Sequence, residues 1–190
     1  MISFWLIFQT FTKLRLATHI VVALLLGQVY YNFGDVAEKI VSNIALLFIL
    51  QVTLYLANSI MAVLIVPTEA AVFLQEHLNN WYSLKSYYSV KVLTDLLMQI
   101  LCASSFLFIS YYMTGQPMEY NRILQAWGIC MLITLLAQAV GILVGTAVDI
   151  ELGIFLVPAM SIPLMLFAGF YVKLEEMPTY LQPICYFSFF

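Results

Sequence analysis

Five continuously apolar stretches, at 19–32, 43–66, 92–114, 123–148 and 152–172, constrain this chain more than any other feature. Backbone groups left unpaired in a bilayer are costly, so a crossing segment must be a helix of about 20 apolar residues or a strand of a closed barrel. Barrel strands alternate apolar and polar residues over about ten positions, and these runs are longer and unbroken. The first is the shortest and begins earlier, near Leu14. With 64% hydrophobic and 9% charged residues and a mean hydropathy of +0.99, the composition fits no soluble domain. The expected fold class is an all-α polytopic membrane protein.

Charge excludes several functions. The net charge is −3, and seven Lys and Arg are scattered along 190 residues, so no basic run suits a nucleic acid. Lys13 and Arg15 precede the first span, and Lys85 and Lys91 fall between the second and third. Lys39, Arg122 and Lys173 lie on the opposite side. This bias places the N-terminus in the cytoplasm and, with five spans, the C-terminus outside. An odd count ending in Ser188-Phe189-Phe190 reads as a chain cut short. Cys102, Cys130 and Cys185 have no metal or redox spacing, and the first two read as small apolar residues inside spans. Met1 to Thr12 lacks a basic n-region and a cleavage site, which argues against a signal peptide.

Segment 1–18 is expected to be an amphipathic connecting segment. Phe4, Ile7, Phe8, Phe11 and Leu14 recur at helical spacing and suit a helix lying along the membrane surface. Residues 19–190 then form one membrane domain. Asn32-Phe33-Gly34-Asp35 ends the first span. Pro67-Thr68-Glu69 ends the second, with Thr68 as N-cap and Glu69 in the first turn of a new helix. In that helix Ala70, Phe73, Leu74, His77, Leu78 and Trp81 make an apolar stripe, with Glu69, Glu76 and Asn80 on another side. It is either an interfacial anchor, with Trp81 and Tyr82 in the aromatic belt, or a device that moves the spans it joins.

The spans carry a few polar signals. Lys91 and Asp95 are one turn apart, and either form an i,i+4 ion pair or let Asp95 face the bundle and tie the loop helix to the span. Gly141 and Gly145 form a small-xxx-small face, with Gln138 one turn earlier for a hydrogen bond across it. The short turn Asp149-Ile150-Glu151 makes the fourth and fifth spans antiparallel neighbours. Pro158 and Pro163 kink the fifth, with or without a cavity beside it. Residues 179–190 are too short to span and lie at or re-enter the outer surface. No phosphate-binding Gly-rich loop, H-E-x-x-H or nucleophile elbow is present, so neither a catalytic residue nor a metal site is expected, and the chain alone is no enzyme. His77 reads as structural. No ring of charges or carbonyl filter suggests an ion channel.

The loop from Val72-Phe73-Leu74-Gln75-Glu76-His77 through Trp81-Tyr82-Ser83-Leu84-Lys85 to Lys91 and Asp95 resembles the first cytoplasmic loop of the G subfamily (White-type) of ABC half-transporters, nearest the sterol and phospholipid exporters. Leu14-Arg15-Leu16-Ala17-Thr18-His19-Ile20, Ala137-Gln138-Ala139-Val140-Gly141, Pro163–Phe170 and Met177–Gln182 agree with it. The resemblance implies an ABC-2 type transmembrane domain with about five of six spans, working as a homo- or heterodimer behind an ATPase domain that holds ATP and Mg. This chain lacks that domain and the sixth span, and replaces the family's basic segment with 1–12. It implies that the 69–82 helix is the coupling helix, with Glu69, Phe73, Glu76, His77, Trp81 and Tyr82 meeting the nucleotide-binding domain and the two glutamates anchoring it. A substrate cavity at the dimer axis, between the second and fifth spans, would be lined by Leu54, Ala57, Ile162 and Met165, with Phe170 and Tyr171 as a plug. Such an aliphatic lining suits a lipid. The membrane of residence would be plasma or endosomal. The alternative is a non-transporting partner that dimerises with full-length relatives and dampens them. Leu84, Tyr87 and Lys91 also fit a loose sterol-contact pattern of low specificity.

Overall fold

The computed structural model describes residues 2–34, 37–79 and 83–168, with side chains from Thr12 onward. Five helices carry almost all of it: α1 Ile2–Val29, α2 Ile40–Leu78, α3 Leu84–Met113, α4 Tyr120–Ala147 and α5 Ile150–Leu166. The first four are long and apolar enough to cross a membrane. The fifth has 17 residues, about 25 Å at the helical rise. The expected fifth span continues to 172, beyond the described residues. Among the described residues there is no strand, so the all-α reading holds.

Two boundaries differ from expectation. The connecting segment 1–18 is not a separate helix, because α1 runs through position 18 without a break. Likewise Pro67 lies inside α2, and Thr68 is not an N-cap. Its hydroxyl donates back to the Ile65 carbonyl at 2.7 Å. The carbonyl that loses its donor at Pro67 is that of Val63, two residues earlier, and a back-bonding hydroxyl beside a proline is one of the local adjustments by which a membrane helix carries it. The second span and the loop helix are therefore one 39-residue rod, about 58 Å long.

Packing follows where side chains are small. Helix α2 lies along α4, where a Cβ on Gly141 would come within 2.5 Å of Ala62 Cβ and the Ser59 carbonyl. A Cβ on Gly145 would meet Val63 Cα at 3.2 Å, and one on Gly153 of α5 would meet Val63 Cγ1 at 2.7 Å. Gly145 and Gly153 thus let α4 and α5 close around Val63, which is fully buried, while Gly141 seats on Ala62 and Ser59. The α4–α5 turn is short as expected, with the Gly153 amide donating to the Asp149 carbonyl at 2.8 Å.

Helix α1 packs parallel to α3. Their C-terminal ends are stitched by the Gly34 amide, which donates to the Thr114 carbonyl at 2.9 Å, and by Asn32, whose φ of 55° turns the chain as its sequence suggested. The reciprocal amide pair of Asn43 and Gln116 joins α2 to the α3–α4 loop nearby. Leu101, Phe108, Leu132, Leu143 and Phe155 point outward, while Arg15, His19, Asn58, Gln99, Thr134 and Ser161 are buried. Apolar outside and polar inside is the arrangement a lipid solvent selects.

Candidate functional site

The lower half of α2 and the start of α3 lie side by side as a hairpin. Ser83 caps α3, its hydroxyl accepting from the Ser86 amide at 3.3 Å. Between the two helices lies a cleft of about 500 Å³. Its walls are Val72, Phe73, Tyr87 and Val90, and its polar groups include Glu69, Glu76, Lys91 and Asp95. The Phe73 and Tyr87 rings are tilted against each other at 4.4 Å, and His77 stacks on Phe73 at 5.2 Å.

A chain of polar contacts runs from this cleft into the bundle. Lys91 Nζ donates to Glu69 Oε2 on α2 and lies 3.3 Å from Asp95 Oδ2 on its own helix. Asp95 Oδ2 in turn accepts from Gln138 Nε2 of α4 at 2.8 Å. These three charged side chains are only 11–15% exposed, so one ammonium neutralises two carboxylates in a partly dry setting. The Lys91–Asp95 ion pair forms and Asp95 faces the bundle toward α4, but the tie to the lower part of α2 is made by Lys91 and not by Asp95. Gln138 bonds to α3 rather than across the glycine face to α2.

The expected amphipathic stripe is turned. Glu69, Val72, Phe73 and Glu76 pack toward α3, while Ala70, Leu74, His77 and Leu78 are exposed. The expected stripe is thus split, with Phe73 beside the two glutamates and the rest of its described residues exposed. The reason is Lys91, which draws Glu69 inward. Glu69 is thus engaged within the chain. Glu76 lines the cleft beside it. Trp81 and Tyr82 lie outside the described residues.

The proposed cavity set is not brought together. Leu54 is fully buried in the protein's own core with Ala23, Leu50 and Phe106, so it cannot line a cavity between two protomers. Ala57 and Met165 are half-buried and Ile162 is exposed. Phe170 and Tyr171 fall outside the described residues. A second cleft, of about 1000 Å³, opens between the lower part of α2 and the α4–α5 turn.

Sequence reasoning missed a buried polar cluster. Arg15, counted as a flanking charge, lies within α1 and is 5% exposed, donating from Nη2 to Asn58 Oδ1. His19, Asn58 and Gln99 are as deeply buried. The signal available was four polar residues inside apolar runs, which normally face the bundle.

A bundle with lipid-facing leucines, a polar interior and a charged hairpin at one end is an integral, multi-pass membrane domain. This chain belongs to the ABC-2 type transporter family, whose model it matches over residues 1–190. It is 26% identical over 168 residues to ABC transporter G family member 25 of Arabidopsis thaliana, covering 87% of this chain and 25% of that protein. To protein white of Ceratitis capitata it is 22% identical over 179 residues, covering 94% and 26%. The mouse broad substrate specificity ATP-binding cassette transporter ABCG2 is 27% identical over 177 residues, covering 92% and 27%. The chain therefore spans about a quarter of the length of these relatives, all White-type or G-family transporters.

Proposed function

We propose that this chain is the transmembrane domain of an ATP-driven exporter of lipids such as sterols or phospholipids, coupled to a nucleotide-binding domain through the α2–α3 hairpin. It works with a second half-transporter, as a homo- or heterodimer, in the plasma or an endosomal membrane. ATP and Mg belong to the nucleotide-binding domain and not to these residues.

One observation carries the reading: the polar chain from Glu69 through Lys91 and Asp95 to Gln138 links the hairpin to α2, α3 and α4 at once. A push on the hairpin is then delivered to three helices rather than lost in a flexible loop. The 39-residue continuity of α2 adds a stiff lever. An exposed apolar surface of Leu74 and Leu78 beside Glu76 offers a partner domain both contact area and charge. The lipid class rests on the aliphatic character of α2 and α5 and on the family resemblance.

The test is Glu76→Ala in the full-length transporter containing these residues. Nucleotide binding is expected to persist while lipid efflux falls at least about fivefold, the lower end of an ordinary coupling free energy. Efflux at the wild-type rate in that variant would remove the hairpin from the mechanism.

A further inference from the structure

Helix α2 packs along α4 and helix α1 along α3, so no close-packed seam joins α2 to α3, and the cleft of about 500 Å³ between them stays open. That volume suits a small organic molecule. Val72, Phe73, Tyr87 and Val90 give it apolar and aromatic walls. Tyr87 is fixed from two sides, its hydroxyl 3.5 Å from Glu69 Oε2 and its ring tilted against Phe73 at 4.4 Å. The polar lining holds three carboxylates, Glu69, Glu76 and Asp95, against one ammonium, Lys91, a net charge of −2.

Helix length sets the depth of the cleft in the membrane. Exposed Tyr112 and Tyr120 mark one boundary and exposed Tyr88 the other, as aromatic belts do. Asp95 and Lys91 lie about 28 and 35 Å along α3 from Thr114 at the helical rise, where the hydrocarbon core of about 30 Å gives way to headgroups. A molecule with a polar head and an apolar chain arrives at this level with its head already among the headgroups.

Charge then selects among such molecules. An anion would be repelled, and a neutral amphiphile would leave the excess negative charge uncompensated. A divalent metal ion would need the carboxylates that Lys91 holds, and among the described residues no three side chains are grouped to ligate one. A choline phospholipid carries a phosphate beside its ammonium, and that phosphate would meet the same carboxylates. An organic ammonium on a single chain meets every condition: one positive charge, an aromatic wall for it and a chain for the valines. We propose that the α2–α3 cleft binds a single-chain organic ammonium ion, its head beside Tyr87 and the carboxylates and its chain against Val72 and Val90. Such binding needs neither nucleotide nor a second protomer, so it stands apart from the export reading.

Photolabelling of the full chain in phosphatidylcholine nanodiscs tests this with three diazirine probes of equal alkyl length, ending in trimethylammonium, hydroxyl or sulfonate. Adducts are located by mass spectrometry and normalised to those at Leu132 of α4, 69% exposed on the outer surface of the bundle. The ammonium probe is expected to label 72–73 and 87–90 at least about threefold more than the hydroxyl probe, the range that one ring–cation contact allows at an exposed site. The sulfonate probe should label them least, and excess unlabelled alkyltrimethylammonium should abolish the preference. Equal labelling by the three probes overturns the proposal, as do adducts that resist the competitor. Phosphatidylcholine is in large excess, so a cleft that preferred its headgroup would show no ammonium preference and would overturn it too. Glu76→Gln should lower the preference while leaving Leu132 unchanged, and an undiminished preference would overturn charge as the selector. The wild-type comparison decides the matter even where that variant fails to fold.

Discussion

Removing the ammonium of Lys91 would leave Glu69 and Asp95 with no cation between them, each carboxylate about one-eighth exposed. Breaking a buried pair on one side costs more than deleting both sides, because the remaining charge keeps its desolvation penalty. Lys91→Met is expected to destabilise the protein by about 3 kcal/mol, the low end for such a truncation. Adding Glu69→Gln should recover part of that loss, and thermal unfolding in detergent measures both. The glycines allow a second prediction at this scale. Gly141→Ala forces a methyl onto Ala62 and the Ser59 carbonyl, an overpacking of about 1–3 kcal/mol. Gly128→Ala meets nothing within 4 Å and should be neutral or stabilising by up to about 1 kcal/mol. Equal effects of the two would mean that α2 and α4 do not approach at Gly141. Single residues were partly legible. Lys91, Asp95, Gln138 and the glycines stood out as polar or small groups in apolar runs, but which of them touch did not, since the one cation, Lys91, has a carboxylate within reach on its own helix and another on α2.

At the scale of the element, the lesson is α2. Pro67-Thr68-Glu69 is a legitimate stop-and-cap signal, and a soluble chain would use it as one. Here the apolar face continues past the proline, and the Thr68 hydroxyl turns back to the Ile65 carbonyl, so the helix goes on. Pro67→Ala restores the missing donor and should raise the melting temperature, by a free energy bounded by the about 3 kcal/mol that proline costs within a helix. Hydrogen exchange at 65–70 would slow with it. Faster exchange there would indicate a break at that point. The split of the expected stripe has a related reason: periodicity separates two sides of a helix, while only the neighbour decides which is inner. Lys91, 22 residues away, made that choice.

For the molecule as a whole, the proposed mechanism requires the hairpin and the α3–α4 loop to lie on opposite sides of the membrane. In a Cys185→Ser background, a membrane-impermeant thiol reagent added to intact cells should label Met118→Cys and leave Asn79→Cys unlabelled until the membrane is opened. Cys102 and Cys130 are buried and should stay silent in both. Labelling of Asn79→Cys from outside would put the hairpin beyond the reach of any cytosolic engine. The bundle's organisation explains why the remaining site residues were hard to place. Leu54 belongs to the core between α1, α2 and α3, yet in sequence it is one apolar residue among many on a helix apolar all round.

What the sequence determined alone was the class, the approximate spans and the place of the polar segment between the second and third, because a lipid solvent forces helices of a minimum apolar length and makes polar interruptions visible. Family membership was legible for the same reason, carried by the polar loop that lipid does not homogenise. The tertiary structure decided which polar groups share a charge, which face of α2 is inner, and that Arg15 is an interior residue rather than a flanking one. Those outcomes depend on helix register, set by side-chain size at Gly141, Gly145 and Gly153, and register is a property of pairs of helices that no single helix encodes.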